Sequence, residues 1–168
     1  YVRQKNWDCQ VVGLRFFNVY GPREAHKDAM ASVVLHAALQ VIDNGLIKLF
    51  GANDGYEAGE QKRDFVFVDD CVNVVEWFLK NPDKSGIFNC GTGKPASFNQ
   101  LARAVIRCMN TGDINYVEFP DQLKGKYQSW TCADLNAIRA VGYDGEFSEI
   151  DEGVENYIRS LALSEICN

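Results

Sequence analysis

The sequence predicts an α/β fold, and three observations carry that prediction. Segments with a strand pattern alternate with segments of helical period along the whole chain. Two short runs, residues 11–19 and 86–90, are dominated by β-branched, aromatic and other apolar residues, as strands buried on both faces of a parallel sheet are. Each run then stops in a glycine turn, Gly21-Pro22 after the first and Gly91-Thr92-Gly93 after the second.

Taken in order, residues 11–19 read as a strand that Gly21-Pro22 ends, because proline cannot donate to a ladder and glycine accepts the turn. Residues 31–43 read as a helix, apolar nearly all round and stopped by Asn44-Gly45. A short strand at 47–50 leads into 51–61, which is polar, holds three glycines and reads as a long loop. Residues 64–68 form a strand, after which Asp69 or Asp70 caps a helix running through Lys80. The strand at 86–90 follows. Ser97-Phe98-Asn99-Gln100 fits a capping box, in which Ser accepts from the backbone three residues on and Gln reaches back, and opens a helix to about Met109. A strand at 114–119 and a helix at 133–140, stopped near Gly142, come next. The last helix, about 148–161, places Ile150, Val154, Tyr157 and Leu161 on one stripe. The apolar strands at 11–19 and 86–90 need neighbours on both sides, and the remaining strands are too few to surround them. The chain is therefore expected to be part of something larger.

Composition narrows the function classes. The 168 residues suffice for one ordinary domain, and the 46% hydrophobic and 24% charged content is that of a soluble globular protein. A formal charge of −6 argues against general affinity for nucleic acid or anionic membrane. No apolar run approaches the roughly 20 residues of a membrane span, and Tyr1-Val2-Arg3-Gln4-Lys5 does not read as a signal peptide. The six cysteines, at 9, 71, 90, 108, 132 and 167, lack C-x-x-C or zinc-finger spacing. They read as reduced core thiols of a cytosolic protein, and no metal site is expected.

The carboxyl end of the first strand is the site candidate, since ligands of open α/β sheets sit there. Asn18, Arg23, Glu24, His26 and Lys27 fall at or within ten residues of it. No strand–GxGxxG–helix unit is present; Gly91-Thr92-Gly93 is followed by Pro95 and reads as a turn rather than a dinucleotide cradle. GxSxG, P-loop and HExxH motifs are also missing. Tyr1 and Lys5 match Y-x-x-x-K by spacing, but a catalytic tyrosine needs helix before it, so the match reads as chance. Lys27 is a solvated loop charge, or a base if desolvated beside another cation. His36 is a core histidine or a ligand contact. Arg63 pairs with a phosphate or with a nearby carboxylate. Tyr127 stacks on a base or fills a core gap.

These motifs converge on a resemblance. Arg15-Phe-Phe-Asn-Val-Tyr-Gly-Pro-Arg-Glu-Ala-His-Lys27 with Met30-Ala-Ser-Val33, then Lys62-Arg-Asp-Phe-Val-Phe-Val-Asp69, Gly86-Ile-Phe-Asn-Cys-Gly-Thr-Gly93 and Phe119-Pro-Asp-Gln-Leu-Lys-Gly-Lys-Tyr127, resemble in order the ADP-glyceromanno-heptose 6-epimerases. These are extended short-chain dehydrogenases. RxFNVYGP and RDFVxVxD are shared with other enzymes of that class acting on nucleotide sugars, whereas GPREAHK-x-x-MAS and FPDxLKGxYQ point to the heptose epimerases.

The resemblance implies the last strands of a Rossmann-type parallel sheet plus the small α/β substrate-binding domain of an extended short-chain dehydrogenase. Residues 1–27 and about 64–93 would contribute to the Rossmann-type domain, and about 28–63 and 94–168 mainly to the substrate-binding domain. The family's N-terminal nucleotide-binding half, with its glycine fingerprint and YxxxK, does not occur in this sequence. The implied reaction inverts C6 of the heptose in an ADP-sugar by hydride removal to NADP and return to the opposite face, for lipopolysaccharide core heptose. Lys27 falls at the position of the second catalytic base and also at a cofactor-contacting position, as does Val19. Substrate positions fall on Asn18, Ala29, His36, Phe50, Gly51, Ala52, Asn53, Arg63 and Tyr127. Position 29, often Ser in the family, is Ala, so only a backbone contact survives there, and the 51–61 loop looks longer than in typical members. A cytoplasmic homo-oligomer, a pentamer, is implied, with the missing half as partner. The chain alone is expected to be inactive. A non-catalytic nucleotide-sugar binding module, another extended short-chain dehydrogenase, and a truncation that associates through an exposed sheet edge stand as alternatives.

Overall fold

The computed structural model describes residues 9–166. Tyr1, Lys5 and Cys167 lie outside the described residues. The chain runs β1 (Val12–Phe16), β2 (Asn18–Tyr20), a 3₁₀ stretch (Ala25–Met30), α1 (Val33–Asn44), β3 (Leu46–Phe50), β4 (Lys62–Arg63), β5 (Phe65–Phe67) and α2 (Val68–Lys80). It continues through β6 (Gly86–Cys90), β7 (Ala96–Ser97), α3 (Phe98–Met109), β8 (Asp113–Val117), α4 (Asn136–Ala140) and α5 (Ile150–Ile166). The alternation of strand and helix, and the parallel pairing of three of the four strand pairs, are those of the α/β class.

The run expected as one strand at 11–19 is two strands, because its halves take different partners. β1 pairs in parallel with β6, from Val12 opposite Gly86 to Phe16 opposite Cys90. The Phe17 amide still donates to the Cys90 carbonyl (3.0 Å), but the Asn18 amide donates to the Asp64 carbonyl (3.0 Å), and β2 then pairs in parallel with β5. Gly21 ends the run at φ 147°, where a Cβ would lie 2.4 Å from Val68, so the turn requires glycine as the sequence implied.

Asp64 is the knot between these pieces. Its side chain is fully buried. Oδ1 accepts the Thr92 amide and hydroxyl (both 2.7 Å), and Oδ2 accepts the amides of Gly93 (2.9 Å) and Ala133 (2.8 Å). The Gly91-Thr92-Gly93 turn is thus an anion nest filled by the protein's own carboxylate, which agrees with its reading as a turn. The same pull on Ala133 makes α4 begin at Asn136 rather than at 133.

Other boundaries moved for local reasons. α1 is capped by Ser32, whose hydroxyl accepts the Leu35 amide, and ends at Gly45 with φ 71°. α2 starts behind Phe67, which supplies no side-chain cap; Asp69 and Asp70 stand inside the first turn, where the helix dipole favours them, and are not the caps. The Asp70 carboxylate instead accepts the Ser148 amide (2.9 Å) and hydroxyl (3.2 Å), tying α2 to the segment before α5. The capping box at Ser97 and Gln100 is present as read. β8 ends at Val117, and Phe119 leaves the strand to join an aromatic cluster with Phe50 and Tyr127. The 51–61 loop holds a tight turn, Asn53 and Tyr56 exchanging backbone hydrogen bonds around Asp54 and Gly55, both at positive φ.

Two cores result. One gathers Tyr20, Phe65 and Phe67 with α1, β3, α3 and α5; the other gathers Val66, α2, β6 and the Ile138–Phe147 region. Gly153 lets α5 close on the first: a Cβ there would fall 2.0 Å from the Tyr20 hydroxyl. Burial of 11–19 and 86–90 on both faces is not met in this chain. β1 is paired with β6 alone among the described residues, Phe16 is 50% exposed and Ile87 43% exposed, and Val72, Val75 and Leu79 of α2 are also exposed. Cys71 and Cys90 are buried thiols as expected, whereas Cys9 and Cys108 are exposed rather than core; all five described cysteines are free. No helix among the described residues is long and apolar enough to cross a membrane.

Burial, reinforced by the charges of Glu152 and Asp69, raises the Asp70 carboxyl above its usual value of 3.8, against the lowering effect of Ser148. The fold therefore binds the Asp70 proton more tightly than the unfolded chain does. That contribution is fully present below about pH 4 and is lost as pH rises through the raised value. Asp70→Asn is expected to be more stable than the native chain at pH 7 and to remove this part of the decline, as read by urea unfolding across pH 3.5–7.

Candidate active site

β2 opens on Asn18 and Val19, opposite Phe65 and Val66 of β5, and the 3₁₀ stretch behind Gly21-Pro22 brings Lys27 back toward them. A cavity of about 350 Å³ lies between them, lined by Asn18, Val19, Glu24, Lys27, Ser32 and Phe65 among others. Lys27 is exposed, and its amine lies 3.9 Å from the carboxylate of Glu24, which is buried. A cation at the mouth of an apolar-walled cavity beside a strand end suits a group that holds or moves a proton on a bound molecule.

A second cavity of about 370 Å³ shares Asn18 and Val33 with the first and is lined also by Lys48, Phe50, Gln61, Arg63 and Tyr127. Arg63 decides its chemistry. It is 8% exposed, its guanidinium lies 4.8 Å from the centre of the Tyr127 ring, and one N–H donates to the Lys62 carbonyl (3.1 Å). Among the described residues no carboxylate pairs with it, so the nearby-carboxylate reading of Arg63 is set aside. A buried cation without a counterion is costly, and an anion arriving from solution relieves that cost. Burial raises the Tyr127 phenol, and the Arg63 charge partly offsets it, so Tyr127 stays a neutral aromatic wall at physiological pH. Its ring packs edge-on against Phe50 and Phe119. A flat aromatic wall beside an unpaired guanidinium suits a ligand with both a ring and a phosphate.

Of the residues expected from sequence, Asn18, Val19 and Lys27 come together in the first cavity, and Asn18, Phe50, Arg63 and Tyr127 in the second. Ala29 is exposed on the 3₁₀ stretch, His36 is half-buried on α1, and neither lines these cavities. His36 is thus not a fully buried core histidine. Gly51, Ala52 and Asn53 lead out from Phe50 into the loop turn; Gly51 is fixed by its amide to Val117 (2.7 Å) and by the Gln61 side chain (3.0 Å). Sequence reading missed Lys48, Gln61 and any role for Glu24 beyond loop polarity. Alternation along β3 was the available signal for Lys48, since Ile47 and Leu49 point inward and leave Lys48 and Phe50 to the other face.

Comparison with known proteins adds an independent finding. Residues 1–91 match the sequence model of the NAD dependent epimerase/dehydratase family. The chain is 54% identical over 154 residues to the ADP-L-glycero-D-manno-heptose-6-epimerase of Alkalilimnicola ehrlichii, covering 92% of this chain and 48% of that protein. Among solved structures, the Helicobacter pylori ADP-L-glycero-D-manno-heptose-6-epimerase superposes with a TM-score of 0.74 at 30% identity, over 90% of this chain and 43% of that one. The UDP-N-acetylglucosamine 4-epimerase of Methanobrevibacter ruminantium shares the fold, with a TM-score of 0.74 at 21% identity over 91% of this chain and 46% of that one. The chain spans about half the length of the relatives it matches.

Replacing Arg63 with Met is expected to weaken binding of inorganic pyrophosphate by about tenfold or more, because the unpaired guanidinium is removed. NMR titration of the amides around Asn18 and Arg63 reads this; equal affinity in the two proteins would show that the guanidinium is not the anion's partner.

Proposed function

Because the chain belongs to the NAD dependent epimerase/dehydratase family, we propose that it is the C-terminal portion of an ADP-glycero-manno-heptose 6-epimerase, an isomerase acting on a nucleotide sugar. The observation that carries this reading is the pair of neighbouring cavities that share Asn18 and Val33. One holds an aromatic wall and a buried arginine that no carboxylate pairs among the described residues, suited to the ADP end of the substrate; the other holds Lys27, suited to the sugar. The 54% identity to a heptose epimerase supports the choice of substrate. The exposed apolar face of β1 and α2 supports a covering half that belongs to the same enzyme.

The geometry supports a division of labour within that reading. Arg63 holds a phosphate, and Phe50 and Tyr127 flank the base. Asn18 fixes the sugar between the cavities. Lys27 moves a proton on one face of the reacting carbon, while inversion requires a second acid/base on the other face, supplied by the rest of the enzyme. NADP, when bound, supplies hydride acceptance and return. The fit is partial and local: Val19 offers an apolar wall and Lys27 a cation in one cavity, and the remainder of the cofactor cradle belongs to the other half. Residues 1–27 and about 64–93 then belong with the Rossmann-type domain, and about 28–63 and 94–168 with the substrate domain; the division between the two cores supports that split in part. The same reading places the enzyme in the cytoplasm as a homo-oligomer, a pentamer, supplying heptose for lipopolysaccharide.

In the whole enzyme, Lys27→Met is expected to lower epimerisation of the ADP-heptose by about 10²–10⁴-fold while ADP-sugar affinity, read by calorimetry, changes by less than about threefold. A parallel loss of binding would make Lys27 a charge that neutralises phosphate. Unimpaired turnover would overturn its role as a base, and would favour a site in which this half only binds.

A further inference from the structure

The geometry points to Glu24 as the residue that positions Lys27. This rests on the reading of Lys27 as the acid/base group. Glu24 is 3% exposed, an unusual place for a carboxylate three residues from a loop lysine. It holds the loop from three directions. Its Oε2 accepts the Ser32 amide (2.8 Å), its Oε1 accepts the Ser32 hydroxyl (2.5 Å), and its own carbonyl accepts the Lys27 amide (2.9 Å). The Lys27 amine then lies 3.9 Å from Oε2. One buried carboxylate therefore links the first residue before α1 to the lysine that must be aimed into the cavity.

The backbone around it shows what this linkage maintains. Arg23 has φ 69°, and Asp28 has φ 46° with ψ −122°, so residues in unfavourable conformations stand on both sides of Glu24–Lys27. Such conformations persist only where surrounding contacts over-determine them. Glu24 supplies those contacts here, because Ser32 belongs to the rigid end of α1, whose next turns, Val34, Leu35, Ala37 and Ala38, are core. Tyr157 of α5 lies against the same carboxylate; burial first, and then the Glu24 charge, pushes its phenol up. The carboxylate is thus fastened to α1 and neighboured by α5, while the lysine it holds remains exposed at the cavity mouth. Glu24 is not among the substrate or cofactor positions that the resemblance implies, and its side chain is committed to Ser32 and Lys27.

The test is Glu24→Gln in the whole enzyme. Gln keeps an acceptor for Ser32 but loses the charge that faces Lys27. The expected result is a kcat lower by about 10–100-fold, the size of effect that misplacing a reacting group produces, with KM for the ADP-heptose within about twofold. Glu24→Asp, which keeps the charge on a shorter arm, is expected to recover part of the loss. Native kcat in Glu24→Gln, alongside a strong loss in Lys27→Met, would overturn the positioning role and leave the function standing. Native kcat in both would overturn the function assigned to Lys27 itself. A rise in KM equal to the fall in kcat/KM would make Glu24 a binding residue instead, against the proposal. Should Glu24→Gln not fold, Ser32→Ala carries the test. It removes one of the two Ser32 donors to that carboxylate and leaves the carboxylate itself in place; it is expected to show the same split between kcat and KM, and native kinetics there would overturn the proposal.

Discussion

The buried carboxylate of Asp64 is the constraint on which the rest depends. It puts a carboxyl group into a fully buried position, where it is tolerated because four donors converge on its two oxygens. Its backbone is committed as well. The Asp64 amide donates to the Thr131 hydroxyl (3.3 Å), and its carbonyl accepts the Asn18 amide (3.0 Å). One residue thereby joins β2, the glycine turn after β6 and the segment before α4. Gly91 belongs to the same arrangement, since a Cβ there would meet Ala133 at 2.8 Å and the Asp64 carboxyl at 3.1 Å.

The second cavity hangs from this point. Asn18 is held by the Asp64 carbonyl, and Arg63 is the residue immediately before Asp64, so the group that borders both cavities and the buried guanidinium are set by one anchor. Lys27 reaches the site by a different route, through Glu24 and the end of α1. Asn18 and Arg63 are fixed in the sheet, and Lys27 sits on a loop braced from a helix. A protein of net charge −6 keeps Arg63 buried at 8% exposure in that sheet with no carboxylate paired to it among the described residues, so local charge differs in sign from overall charge there.

Much of this was legible in the sequence. The strand-turn at Gly21-Pro22, the capping box at Ser97 and the helix stop at Gly45 follow from local backbone chemistry, which a single sequence exposes. Asn18, Lys27, Arg63 and Tyr127 were named from the motifs, and each lines one or both of the two cavities. What escaped was set by long-range partners. The break at Phe17 reflects a change of neighbour from Cys90 to Asp64, residues 46 or more positions away, and nothing in 11–19 announces it. The helix at 133–140 lost its first turn to Asp64, and Asp70 left capping for Ser148, 78 residues on. Glu24 looked like one more polar loop residue because its burial depends on Ser32 and α5. The apolar strands at 11–19 and 86–90 were read as interior, whereas Phe16 and Ile87 are exposed in this chain, which spans about half the length of its relatives.

Amide hydrogen exchange at Thr92, Gly93 and Ala133 tests the role of Asp64 most directly. If the carboxylate is the anchor described, these amides, though they lie in a turn and a loop, exchange as slowly as those of Val66 and Val74 in the core, opening only when the fold does. Exchange faster by several orders of magnitude, at the pace of an ordinary surface turn, would contradict it.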